Sequence, residues 1–175
     1  MFIGHLPAGY ICTTLLFKLK LFRNLTPKKK RIYFLVGMIG SVFPDIDIFY
    51  FYLADGKQNE HHSYWTHIPS FWLMILFSHL LLSKIMSNKR TRHLILFFIS
   101  NVFIHLILDT IAGGIFWLYP FSQKMFTLLT VPVKSTSWLF NFLFYWTITI
   151  EGALILLATL VYKRKHLPKK RKGRL

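Results

Sequence analysis

Apolar residues come in five runs, at about 6–22, 32–53, 68–83, 94–119 and 138–162, separated by short polar stretches. A helix rises 1.5 Å per residue, so about 20 predominantly apolar residues cross the hydrocarbon core of a bilayer. The pattern therefore predicts an all-α, polytopic membrane bundle of about five helices. The last four runs are read as spans, 68–83 being short. The run 6–22 carries Lys18 and Lys20, so it either spans with those side chains snorkelling or lies partly in the interface. With no repeat and no linker in sight, residues 1–162 read as a single membrane-embedded domain. Residues 163–175 read as a basic, disordered tail.

Composition supports the membrane reading: of 175 residues 54% are hydrophobic and 18% aromatic, with a mean hydropathy of +0.44. Ordinary soluble domains are less apolar. Lys and Arg number 22 against 6 acidic residues, a net charge of +16. These cations gather at 23–31, 84–92 and 163–174, whereas 54–67 and 120–137 hold only Lys57, Lys124 and Lys134. By the positive-inside rule the first set is cytoplasmic and the second is external, which puts the C-terminus in the cytoplasm. Topology and attraction to anionic lipid account for the surplus, so nucleic acid is not an expected partner. Trp65, Trp72, Trp117, Tyr119 and Trp138 fall near the proposed outer boundaries, as in an interfacial belt. The lone Cys12 permits no internal disulfide, and without a cationic stretch ahead of it the first run does not read as a cleaved signal peptide.

The chemistry sits where the apolar pattern is broken. A charged group in hydrocarbon costs roughly 3 kcal/mol or more, so it normally faces a protein interior and marks a functional site. Asn101, His105 and Asp109 recur every four positions and share one helix face. Asp109 then either ligates a metal beside His105 or orients its imidazole. In Pro44-Asp45-Ile46-Asp47 the two carboxylates would diverge on a regular helix, but Pro44 predicts a local break that could turn both toward one centre. His61, His62 and His67 supply three imidazoles in seven residues, with His62 and His67 preferred, and His5 precedes the first run. Charge counting, which ignores these residues, puts them all in the outer half or near the midplane. The expectation is a metal centre of His5, Asp45, Asp47, His62, His67, His105 and Asp109 toward the outer side. Four His and three Asp exceed the ligands of one catalytic zinc, so two ions are accommodated. Mixed nitrogen and oxygen donors suit zinc, with manganese or iron as alternatives. His79, His93 and His166 are assigned to a core or interface, a basic loop and the tail.

In this order the motifs resemble the YdjM-like family of inner-membrane-associated, metal-dependent hydrolases. The resemblance covers residues 4–121 and rests on His5 with Gly9, on Gly40 with Pro44-Asp45-Ile46-Asp47, on His62 with Thr66-His67, and on His105 and Asp109 with Gly113, Gly114 and Pro120. Ser63 departs from the Arg that relatives often carry there, which leaves the choice between His61 and His62 open. The resemblance implies a bacterial inner-membrane location and carries the metal role to the seven residues named. A more distant likeness to zinc-dependent phospholipases C suggests phosphoester hydrolysis.

The functional expectation is a metal-activated water attacking a lipid or lipid-linked ester, with Asp45 or Asp109 taking the proton. The rival is a transporter or ion channel in which the same acids and imidazoles relay protons or bind a cation. Glu151, inside the last run, fits that rival better or serves as a buried polar contact.

Overall fold

A computed structural model describes residues 3–56, 58–59, 61–86, 89–130, 140–141 and 145–166. Six α-helices lie among them: α1 His5–Leu16, α2 Pro27–Gly40, α3 Asp47–Leu53, α4 Pro69–Met86, α5 Lys89–Ala112 and α6 Ile148–His166. Tight 3₁₀ turns fill Lys20–Phe22, Pro44–Ile46, His61–Ser63 and Trp65–His67. The all-helical class is as expected. Trp138 and residues 167–175, most of the expected tail, lie outside the described residues, while 163–166 continue α6.

Local chemistry explains the boundaries. Thr26 caps α2 by accepting the Lys29 N–H at 3.4 Å, and Pro27 occupies the first helical position, where its missing N–H costs nothing. The helix stops at Gly40, turns through Pro44–Ile46 and restarts as α3 at an angle of 55°. The break predicted from Pro44 is present. At the end of α5 the N–H groups of Gly113 and Gly114 both donate to the Asp109 carbonyl, at 2.7 and 3.1 Å. Gly114 has a φ of +77°, a conformation that costs a residue with a Cβ about 1–2 kcal/mol. The chain then doubles back. Ile115 and Phe126 form a bridge, and the Leu128 N–H donates to the Thr110 carbonyl at 2.8 Å, so the loop is tied to the last turn of α5.

Helix α5 is the central element, packed against α1, α2 and α4, while α1 also contacts α2 and α6. One core cluster joins Trp72 of α4 to Val102 and Leu106 of α5 and to Ile115, and a second joins Phe22, Tyr33 and Phe97. The outside is apolar too: Leu73, Met74 and Phe77 of α4 and Leu156 and Leu160 of α6 are exposed. Apolar exteriors of that kind belong against lipid or a partner.

The helix lengths correct the reading of spans. Among the described residues Arg90–Ala112 alone is long and apolar enough to cross a membrane, and the bent pair Pro27–Gly40 with Pro44–Leu53 makes a second if counted as one span. The helix within Pro69–Ser83 is apolar but shorter. Four full spans are not shown, because apolar runs continue where helices do not: α1 ends at Leu16, α5 at Ala112, and α6 is described only from Ile148. His105 and Asp109 thus lie in the C-terminal part of α5, not at its middle.

Candidate metal centre

Of the seven expected residues, His5, Asp45, His62, His67, His105 and Asp109 come together, brought there by the ends of helices, and Asp47 stands beside them against His61 and His67. His105 and Asp109, one turn apart on α5, are fully buried, with His105 Nε2 2.9 Å from Asp109 Oδ2. His5, the first residue of α1, stacks on the His105 ring with centroids 3.7 Å apart and places Nε2 3.2 Å from Asp109 Oδ1. The bend between α2 and α3 delivers Asp45 and Asp47. The two 3₁₀ turns of the following loop deliver His61, His62 and His67.

The hydrogen bonds behind the imidazoles set their tautomers. A helix leaves its last four carbonyls without intrahelical partners, and two such carbonyls are used here. His105 Nδ1 donates to the Ser41 carbonyl at the end of α2, and His62 Nδ1 donates to the Gly113 carbonyl just beyond α5, both at 2.9 Å. A carbonyl can only accept, so each Nδ1 carries the proton and each Nε2 is left with a lone pair. His67 Nδ1 meets Asp47 Oδ2 at 2.7 Å. All three Nε2 atoms then face Asp109 Oδ2, at 2.9 Å for His105, 3.6 Å for His67 and 3.7 Å for His62. Asp45 Oδ1 lies 3.6 Å from His105 Nε2 and 3.9 Å from His67 Nε2. The two Nε2 atoms of His67 and His105 are 3.3 Å apart. Lone pairs aimed at one another and at a carboxylate repel unless positive charge lies among them, so the donor set fits a cation or the protons that replace it.

Asp47 faces the other way. Its Oδ1 is 2.8 Å from His61 Nδ1, and its Oδ2 accepts from His67 Nδ1 and from the Thr66 hydroxyl. His61, left open in the sequence, sits between both acids of the bend, with Nε2 3.5 Å from Asp45 Oδ1. Ligating atoms within 4.8 Å of one another form two groups, His61, His62 and His67 in one and His5, Asp45, His105 and Asp109 in the other. Either could hold an ion.

Electrostatics in the loop follow from these contacts. Burial opposes the charged form of His61, but the neighbouring Asp45 and Asp47 carboxylates outweigh it and push its pKa up to about 9. Burial also opposes a charge on His67, yet Asp109 and Asp47 raise it above its ordinary value. At His62 burial wins and brings the pKa down to about 4, with Asp109 opposing. A cavity of about 430 Å³ opens on His61 and His62 and is bordered by Phe51, Asn59, Met125 and Thr127. Gly113 borders it as well, and a Cβ there would overlap the His62 ring.

Two supporting groups escaped the sequence reading. Thr66 left a trace in its Thr-His pair, whereas Ser41 contributes only a backbone carbonyl, which no side-chain pattern signals. Asn101, although on the same face as His105, turns to α1 and donates to Thr13 Oγ1 at 3.1 Å. His93 packs edge-on against Phe22, away from the centre.

A helical chain with an apolar exterior, a broken helix and buried imidazoles and carboxylates gathered at the break belongs to the class of integral membrane proteins with an internal polar centre. The family described as YdjM inner membrane protein matches residues 1–167, nearly the whole chain. The chain belongs to that family. No curated protein and no solved structure matches it.

Proposed function

We propose that this protein is a membrane-bound, metal-dependent hydrolase acting on a phosphoester of a lipid or lipid-linked substrate. The observation that carries the reading is the set of three imidazoles, His62, His67 and His105, each with Nδ1 bonded to an oxygen and Nε2 turned to Asp109 Oδ2. Orienting partners of this kind typically stand behind metal-bound histidine. His5, Asp45, His62, His67, His105 and Asp109 would hold one or two divalent cations, zinc by the donor set, with manganese or iron as alternatives. Asp47 and His61 would stand behind them, since both oxygens of Asp47 are engaged by imidazoles and Thr66. A bound divalent cation polarises a phosphoryl oxygen and lowers the pKa of water toward 7.

The residues of the chain supply the rest. Asp109 is buried and contacts four imidazoles, which suits a central ligand. Asp45 is 27% exposed, so of the two candidate bases it is the one from which a proton can reach solvent. The cavity beside His61 and His62 gives a substrate group a place next to the centre.

The site would face the outer side of the inner membrane with the C-terminus in the cytoplasm. Support comes from the ends of the helices. α2 and α5 carry Lys28 to Arg31 and Arg90 with Arg92 at their starts and meet the centre at their ends, whereas α1 and α6 begin beside it and run toward Lys18 and Lys163.

The test is metal analysis on detergent-purified protein with assays of phosphoester and carboxylic ester hydrolysis. One or two ions per chain, lost in His105→Ala and Asp109→Ala together with hydrolysis, is the expected result. Protein that carries no metal, or activity indifferent to His105→Ala, overturns it. Ion flux in liposomes without hydrolysis would favour the transport reading instead.

A further inference from the structure

We propose that Glu151 is the positioning residue for His5: it holds the first turn of α1 so that this imidazole stays against Asp109. The inference rests on the metal-centre reading above and adds to it a residue of a helix that supplies none of the centre's side chains. His5 opens α1, and the residue ahead of it, Gly4, offers no side chain to cap the helix. The first N–H groups of a helix have no intrahelical partner, and first turns fray most easily. Here the backbone just ahead of that turn is held from outside. Glu151 Oε2 accepts the Ile3 N–H at 2.7 Å and the Gly4 N–H at 3.1 Å.

Glu151 is buried, at 1% exposure, in the first turn of α6, where the helix dipole favours a negative charge. Its two bonds tie α6 to the backbone immediately before His5. His5 is held at the centre by its contact with Asp109 and its stack on His105, and both depend on where the first turn of α1 lies. Removing the carboxylate leaves two backbone donors without that acceptor and frees the turn to move.

The test uses the full chain in detergent, loaded with zinc for affinity and with cobalt for its absorption spectrum. Glu151→Ala should weaken zinc binding about tenfold, as expected when an orienting group is lost, and should shift the cobalt spectrum in the same way as His5→Ala. In the His5→Ala background it should add nothing, because a residue acting through His5 has no further effect once His5 is gone. Glu151→Gln, which keeps an acceptor oxygen, should stay near the wild type. Wild-type affinity and spectrum in Glu151→Ala, or additive losses in the double variant, overturn the proposal while the metal reading stands. Wild-type protein that binds neither metal removes both. If Glu151→Ala does not fold, Glu151→Asp, one methylene short of the two N–H groups, is held to the same expectations.

Discussion

At the scale of single residues, the centre is organised by what stands behind each imidazole. The Thr66 hydroxyl donates to the same Asp47 oxygen that accepts from His67 Nδ1, so Thr66 steadies the carboxylate that orients His67. Thr66→Val keeps the shape and removes that donor. Metal affinity is expected to fall about tenfold or more with the fold intact, measured by competition with a chromophoric chelator. His61 makes a pH prediction with two signs. Its pKa rises from an ordinary 6.5 to about 9 because the Asp45 and Asp47 carboxylates outweigh burial. In the metal-free protein this stabilisation is complete below pH 6.5 and is lost as pH rises through 9. Metal affinity should move oppositely, since deprotonating His61 removes a positive charge that an incoming cation must face. Thermal melts of metal-free protein and chelator competition, both from pH 6.5 to 9, check the two trends. These residue types were visible in the sequence, but the choice between His61 and His62 was not, because adjacent imidazoles differ only in the acceptors that reach them.

At the scale of elements, the decisive feature is the interruption between α2 and α3. A helix continuing through Ser41 would give the Ser41 carbonyl to the N–H of residue 45, four positions on. The turn at Pro44–Ile46 leaves that carbonyl to His105 Nδ1, at 2.9 Å. Pro44→Ala restores an N–H and relaxes the ban on helix at this point. It is expected to lower metal affinity without unfolding the bundle, measured by zinc titration alongside circular dichroism. Proline announced this break from the sequence. The helix ends at Leu16 and Ala112 were not announced, because the apolar runs pass straight through them and hydropathy does not register where hydrogen bonding stops.

At the scale of the whole molecule, the basic starts of α2 and α5 lie at the far ends of those helices from the centre. Nineteen steps along α5 lead from Arg90 to Asp109, about 28 Å of helix at 1.5 Å per residue, close to the thickness of a hydrocarbon core. With the centre outside, a cysteine placed at Asn59 in a Cys12→Ser background should react with a membrane-impermeant maleimide on intact spheroplasts. A cysteine at Lys29 should react only after lysis, and the reverse pattern would invert the topology. The sequence by itself determined the helical class, the apolar exterior and the identity of the polar residues in excess of what a lipid-embedded chain tolerates, since composition and burial cost are properties of residues taken one at a time. Only the tertiary structure decided which atoms meet. The tautomers of His62 and His105 and the hold of Glu151 on the start of α1 depend on backbone groups brought from distant parts of the chain. No pattern of side chains along the sequence encodes those backbone partners.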